Sequence, residues 1–333
     1  MKVLALLHTE NNTLPRAALE TISVARSLGG ELTVAIFGGS AATAANTLAG
    51  CGAAKFVVVE GEAFLQPRYS TDTAAATALI KAANPELILA PNTSRFARAL
   101  PGVAQRVGAQ VDTHIVGITA EANSVKVQRW FYRQRILTTF TRVARPWLLL
   151  VDGGIQAPYE GTAGTVAAEA VAVPEVASRT TVNGVQAPAA DAQTIRPDAQ
   201  LLFVAGAGWT KKQKDGQYHI GEASTLIQGF LQKAKASLGS SKSLVDLKSE
   251  GQETLSFMSH MNQIGQTGST PRHQKGLSTC CHGEEPHAVG WRFITERRAI
   301  NVDANCGWAQ GKADVVYIGD AFEIVSKINA LLG

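Results

Sequence analysis

The chain opens with Met1-Lys-Val-Leu-Ala-Leu-Leu7, a short apolar run whose residues suit a β-strand. A candidate helix over residues 14–28 follows, with Pro15 at its expected first position and glycines after its last turn. Strand-like and helix-like stretches then alternate, with strands over residues 32–37, 55–59 and 86–90 and helices over residues 40–49, 71–83 and 95–107. This alternation predicts a parallel sheet covered by helices.

The alternation stops after residue 107. Four strand-like stretches follow one another with short connections, over residues 113–118, 124–130, 136–141 and 146–151. They predict a β meander added to the end of the sheet. Arginines and aromatic residues are interleaved here: Arg129, Trp130, Phe131, Tyr132, Arg133, Arg135, Arg142 and Arg145. Such a face is typical of a solvated surface, and also of a subunit interface or a patch for an acidic partner.

A second α/β pattern begins near residue 198, after a stretch rich in Ala, Thr, Val and Pro. We therefore expect an N-terminal domain over residues 1–186, a linker over residues 187–197 and a C-terminal domain over residues 198–333. The second domain shows candidate strands over residues 201–205, 298–302 and 315–318, candidate helices over residues 222–238 and 321–332, and an exposed basic loop over residues 209–216. The predicted fold class is α/β with two open sheets, the second doubly wound and parallel, with ligands at the carboxyl ends of its strands.

Composition excludes several classes of protein. The 333 residues are 45% hydrophobic and 17% charged, with a net charge of +4, which indicates a globular protein and no nucleic-acid partner. Apolar runs such as residues 147–151 are too short for membrane insertion, and the N-terminus lacks the pattern of a signal peptide. Four cysteines in a chain of this length predict free thiols, so we expect a cytoplasmic protein.

The stretch Ile264-Gly-Gln-Thr-Gly268 has the composition of a ligand-binding loop. Its glycines permit positive φ and close approach of the backbone, and Gln266 and Thr267 offer side-chain hydrogen bonds. The same pattern also suits a loop that only turns the chain. It follows a helix-like run over residues 253–263.

This loop is one of several pieces that occur in order: Gly239-Ser-Ser-Lys-Ser-Leu-Val-Asp246, Gly265-Gln-Thr-Gly268, Cys280-Cys-His-Gly283 with His287, and Ala299-Ile-Asn301 with Asp303. Together they resemble the flavin-binding domain of the α subunit of electron-transfer flavoproteins. Residues 87–94, which read Leu-Ile-Leu-Ala-Pro-Asn-Thr-Ser, with Leu100-Pro101, resemble the first domain of that family. The resemblance implies FAD in the second domain, a β subunit that contacts the first domain in a heterodimer, and AMP in that partner. It also implies electron transfer from a flavin-dependent dehydrogenase to a quinone reductase or another acceptor.

The resemblance also implies a set of cofactor-binding residues in this chain. Ser241 and Lys242 would lie next to the flavin, with Lys242 in place of the family's Arg, which keeps the charge and loses the planar fork. Gln266 and Thr267 would contact the flavin, Gly268 would belong to the same cofactor-binding loop, and His287 would lie near the C2 carbonyl of the ring. His282 and Gly283 would form the phosphate-binding turn. Asn301 and Asp314 would contact the adenosine half.

Besides Lys242, three positions depart from the family pattern: Gly208, His282 and Pro286. One alternative is therefore a non-redox scaffold or binding subunit that has lost FAD. A second is a nucleotide-binding enzyme that uses Cys281 or His282 in catalysis. Cys280, Cys281, His282, His287 and Cys306 also include metal-ligand types, but adjacent cysteines have poor spacing for one tetrahedral ion. A structural role for these residues is the further alternative.

Overall fold

The computed structural model of the chain describes residues 1–121, 124–132, 136–184, 195–196, 199–247, 253–265, 270–280 and 293–333. The chain divides into two compact units, Met1–Val185 and Gln186–Gly333. Apart from residues 195 and 196, the predicted linker over residues 187–197 lies outside the described residues. Each unit has its own sheet and its own hydrophobic core.

The first unit is built on one nine-stranded sheet with the order β7-β6-β5-β8-β4-β1-β2-β3-β9. Its strands are β1 (Lys2–His8), β2 (Glu31–Gly38), β3 (Lys55–Glu60), β4 (Leu87–Pro91), β5 (Gln110–Glu121), β6 (Ser124–Phe131), β7 (Ile136–Phe140), β8 (Trp147–Val151) and β9 (Ala168–Ala170). Strands β1 to β4 are parallel, whereas β6 is antiparallel to both β5 and β7. The predicted parallel sheet with an added meander is confirmed.

The meander consists of β5, β6 and β7. The prediction that residues 146–151 add a fourth strand to it was wrong, because these residues contribute β8, which lies elsewhere in the sheet. Strand β8 lies in the interior of the sheet, parallel to both β4 and β5, with Trp147 paired to Leu87 and to Gln110. All five of its residues are buried. A continuous apolar run of this kind is typical of a parallel strand in the interior of a sheet, where both faces are covered.

Helices cover both faces of this sheet: α1 (Arg16–Ser27), α2 (Ala41–Ala45), α3 (Tyr69–Ala83) and α4 (Ser94–Val107). Alternate residues of β1 enter different cores, because side chains along a strand point to opposite faces. Val3, Ala5 and Leu7 pack with α1, whereas Leu4 and Leu6 pack with α3 and α4. The predicted second helix, over residues 40–49, is α2 followed by a 3₁₀ turn at Asn46–Leu48.

An ion pair connects the segment that follows β7 to strand β5. The Arg142 guanidinium donates two hydrogen bonds to the Asp112 carboxylate, at 2.5 Å and 2.9 Å, and the buried Trp147 indole donates a third at 2.9 Å. Burial raises the pKa of Asp112, but the hydrogen bonds from Arg142 and Trp147 outweigh it, so the pKa lies below its usual value. Arg142 is therefore a paired cation, while Arg133 and Arg135 lie outside the described residues.

The second unit contains a five-stranded parallel sheet with the order β11-β10-β12-β13-β14. The strands are β10 (Leu201–Ala205), β11 (Ser237–Ser240), β12 (His273–Cys280), β13 (Ile294–Asn301) and β14 (Val315–Ile318), and the helices are α5 (Ile220–Lys233), α6 (Lys242–Asp246), α7 (Gly307–Lys312) and α8 (Ala321–Leu331). Residues of α5 and α8 pack in the core of one face, and Ala309 of α7 packs in the core of the other. The predicted parallel, doubly wound sheet is confirmed.

Three local predictions in this unit were wrong. The helix predicted over residues 222–238 ends at Lys233, and Ser237–Ser240 instead forms the buried strand β11 beside β10. The helix-like run over residues 253–263 contains a 3₁₀ turn at His260–Asn262, held by a capping box between Ser259 and Asn262. Trp209, predicted in an exposed loop, is fully buried, because its indole N–H donates to Thr279 Oγ1 at 2.7 Å and its ring packs against Phe322.

No helix in the described ranges is both long enough and apolar enough to span a lipid bilayer.

Candidate functional site

The carboxyl edge of the second sheet is the candidate site. Its five parallel strands end there at Ala205, Ser240, Cys280, Asn301 and Ile318. Strand β10 has β11 on one side and β12 on the other, so the direction of the strand order reverses next to β10. Open α/β sheets bind ligands at such a switch point, in the crevice outside the carboxyl ends of the strands.

Ser241 and Lys242 lie at this edge, directly after β11. The Ser241 amide donates to the Ala205 carbonyl at 2.9 Å, and its hydroxyl caps α6 by accepting a hydrogen bond from the Leu244 amide at 3.2 Å. Lys242 is the first residue of α6, is half-exposed, and has its Nζ 2.5 Å from Asp246 Oδ2. The hydroxyl of Ser241 therefore orients the helix that carries the cation.

The start of the glycine loop lies beside β11. The Ile264 amide donates to the Ser240 carbonyl at 3.1 Å, and Gly265 has a φ of +79°, which favours glycine. Ile264 rests on Gly239, where an added Cβ would lie 2.6 Å from the Ile264 Cδ1. A side chain at position 239 would therefore have to displace that of Ile264. Gln266, Thr267 and Gly268 lie outside the described residues.

Asn301 ends β13 and is fully buried. Its Oδ1 accepts a hydrogen bond from the Asp303 amide at 3.2 Å, whereas its Nδ2 has no partner among the described residues. The buried hydroxyls of Ser240 and Ser278 share this property, within the same part of the chain. A buried polar group without a partner costs about 1–3 kcal/mol. The presence of buried polar groups without a described partner near the carboxyl edge of the sheet therefore favours a polar ligand there.

The structure does not bring Asp314 to this edge. Asp314 precedes β14, and its Oδ2 accepts a hydrogen bond from the Arg297 amide at 2.6 Å. Arg297 lies four residues before Asn301 in β13, which corresponds to about 13 Å along a strand. The prediction that Asp314 and Asn301 contact the same ligand group conflicts with this placement, because the two residues lie at opposite ends of neighbouring strands.

Asp320 is the carboxylate that follows β14 at the carboxyl edge. Its side chain caps α8 by accepting a hydrogen bond from the Phe322 amide at 2.8 Å. Sequence reasoning missed it in the candidate site, although an Asp directly between a strand-like run and a helix is the usual N-cap signal.

His282, Gly283 and His287 lie outside the described residues, as do Cys281 and Pro286. Within the described ranges, no group of three His, Cys, Asp or Glu side chains is arranged to hold a metal ion. Cys51 and Cys306 are buried free thiols.

Comparison with known proteins gives the family. The family model described as "Electron transfer flavoprotein domain" matches residues 3–178, more than half of the chain. Two relatives are each named "Electron transfer flavoprotein subunit alpha". The relative from Pseudomonas aeruginosa is 24% identical over 331 residues, which cover 98% of this chain and 99% of that protein. The relative from Syntrophomonas wolfei is 22% identical over 319 residues, which cover 96% and 95% respectively. The chain therefore belongs to the electron transfer flavoprotein family.

Proposed function

We propose that this chain is the α subunit of a heterodimeric electron-transfer flavoprotein, with FAD at the carboxyl edge of its second sheet. The observation that carries the proposal is the buried Asn301 amide, whose Nδ2 has no partner in the described part of the chain and lies at the edge where parallel sheets bind ligands. The names of the two relatives, which match both units, support the same assignment.

The described residues have the chemistry that such a cofactor requires. Asn301 would donate its free amide hydrogen bond to the adenosine half, and Ser241 would fix the start of α6. Lys242 would supply positive charge beside the ring. FAD, when bound, would supply the electron-accepting and electron-donating chemistry, with electrons arriving from a flavin-dependent dehydrogenase and leaving to a quinone reductase or another acceptor.

We propose that the carboxylate that contacts the adenosine half of FAD is that of Asp320 and not that of Asp314. Asp320 follows the carboxyl end of β14, next to the end of β13 that Asn301 occupies. The Gly319 amide donates to the Asn301 carbonyl at 2.9 Å, which ties the two segments together. Asp314 lies at the other end of β14, where its carboxylate binds the Arg297 amide.

Titration with FAD tests the proposal. The wild-type chain, co-expressed with its β subunit, should take up one FAD and show a flavin absorption spectrum that is bleached by a reductant. We expect Asn301→Ala to weaken FAD binding about tenfold, because a buried donor is lost. Asp314→Asn is the matched control and should leave the affinity unchanged. A wild-type protein that takes up no FAD would overturn the proposal in favour of the scaffold alternative.

The β subunit should dock on the meander surface, which we define as Phe131, Tyr132 and Ile136. These side chains are exposed by 37%, 75% and 50%, which is unusual for large apolar residues next to one another. Strand β7 is also one of the two edge strands of the described sheet. The Arg129 guanidinium lies over the Phe131 ring at 5.0 Å, so the patch combines aromatic and cationic groups, which interfaces favour. It therefore fits a partner face with apolar and acidic groups.

A charge placed on this surface should break the complex. We expect Tyr132→Glu to weaken binding of the β subunit at least tenfold, because it places a charge in a desolvated contact. Tyr218→Glu is the control, since Tyr218 is 59% exposed and belongs to the other unit. Sedimentation velocity over a range of concentrations measures both affinities. Equal affinities for the two variants would exclude the meander surface as the docking site.

A further inference from the structure

Asp246 joins two segments that flank the candidate site. Its Oδ2 accepts a hydrogen bond from Lys242 Nζ at 2.5 Å, and its Oδ1 lies 3.0 Å from His260 Nε2. Its side chain is 29% exposed, whereas those of Lys242 and His260 are each 53% exposed. The hydrogen bonds from Lys242 and then from His260 hold the pKa of Asp246 below its usual value. The carboxylate is therefore ionised at neutral pH and held between two nitrogen groups.

The two segments reach the carboxyl edge from different parts of the chain. Lys242 and Asp246 are the first and last residues of α6, which follows β11. His260 opens the 3₁₀ turn, after which the Ile264 amide returns to the Ser240 carbonyl. The carboxylate of Asp246 thus connects the helix that carries the cation to the segment that leads into the glycine loop.

We propose that Asp246 is a positioning residue that sets both the location and the effective charge of Lys242 at the cofactor. The inference rests on the proposed function, because Lys242 acts on FAD in it. A carboxylate at 2.5 Å cancels part of the field of an ammonium group at any more distant atom. His260 binds the other carboxylate oxygen, so the carboxylate stays oriented toward Lys242.

The stability of the protein should depend little on this bridge. Ion pairs between exposed or partly exposed groups contribute little to stability, because water screens them. A substitution at Asp246 is therefore expected to leave a folded protein, in which a change in the potential of bound FAD reports on charge and position and not on loss of structure.

A double-mutant cycle on the midpoint potential of bound FAD tests the proposal. Asp246→Asn should shift the potential to more positive values, because Lys242 is freed from its counter-charge. In the Lys242→Met background, the same substitution removes only the charge of the carboxylate, so its shift should differ from that in the wild type by the part that the repositioning of Lys242 contributes. Asp246→Glu keeps the charge and should restore a value close to that of the wild type. Equal shifts in the two backgrounds, or no shift, would overturn the inference.

Amide hydrogen exchange on the FAD-free chain tests the bridge without the cofactor. Asp246→Asn should speed exchange at the Gln263 and Ile264 amides about two- to fivefold, because the His260 turn loses its tie to α6. Unchanged exchange would refute the bridge even in a protein that binds FAD. If the wild type takes up no FAD, the proposed function fails and the role of Asp246 toward the cofactor fails with it, while the exchange rates still report whether the bridge exists.

Discussion

Acidification from pH 6.5 to pH 4 should cost the first unit about 3 kcal/mol of its free energy of unfolding through His8 alone. His8 ends β1 and is fully buried, with its ring against Phe37 and Phe96 at centroid distances of 6.0 Å and 4.9 Å. Burial, and then the positive charge of Arg95, lower the pKa of His8 from 6.5 to about 4. The Glu10 carboxylate, 3.8 Å from Nε2 and more than half exposed, does not offset this.

The sign of the pH dependence follows from the two protonation states. Below pH 6.5 the unfolded chain takes up a proton on His8, whereas the folded chain does not until the pH approaches 4. Stability is therefore lost as the pH falls through this window, and the loss is complete below pH 4. Above pH 6.5 His8 is neutral in both states and contributes no pH dependence.

Urea unfolding of the wild type and of His8→Gln at pH 7, 5.5 and 4.5 measures this contribution. Other groups titrate in both proteins, so the difference between the two pH profiles isolates His8. The wild type should lose more stability than His8→Gln as the pH falls. Parallel profiles for the wild type and His8→Gln would contradict the assignment.

The fold was predictable where local pattern and long-range pairing agree. The alternation of strands and helices over residues 2–107 follows from apolar periodicity, glycines and prolines, and the sheet has the expected parallel strands. Strand β8 was misplaced because its position depends on pairing with β4 and β5, which no local pattern reports. The end of α5 was missed because Ala234 and Leu238 continue the apolar rhythm, although Lys235 adopts a φ of +49° that ends the helix.

The candidate site was predictable to the extent that it follows strand ends. Asn301 lies in a strand that the sequence placed in the second parallel sheet, so its position at the carboxyl edge was expected. Ser241 follows β11, which the sequence presented as part of a helix, so its place in the site was expected from the family resemblance alone. Asp314 was assigned from the family resemblance, which did not take into account that it precedes the strand over residues 315–318 and so lies at the opposite end of that strand from Asp320. The bridge from Asp246 to His260 spans 14 positions of the chain and depends on a turn that the sequence presented as a helix.

Removal of the Asp72 carboxylate should destabilise the first unit by about 3–5 kcal/mol. Asp72 in α3 and Arg95 in α4 form a buried pair, with Arg95 donating to the two carboxylate oxygens at 2.7 Å and 3.1 Å. Their side chains are 1% and 7% exposed. Arg95 also donates to the Phe64 carbonyl at 2.8 Å and lies over the Phe37 ring at 5.0 Å. Asp72→Ala would leave the guanidinium held in this environment without its counter-charge.

Two further variants separate a lost ion pair from a general packing defect. Arg98→Ala is the control, because Arg98 also contacts Asp72, at 3.4 Å, but is 46% exposed, so its loss should cost about 1 kcal/mol or less. The double variant Asp72→Leu with Arg95→Met should be more stable than Asp72→Ala, because it removes both buried charges and fills the space with apolar groups. Urea unfolding of the four proteins measures these differences. If Asp72→Ala costs no more than Arg98→Ala, the pair is not a major source of stability.

The double variant also removes the cation that faces His8, so the pKa of His8, followed by NMR, should rise above its wild-type value.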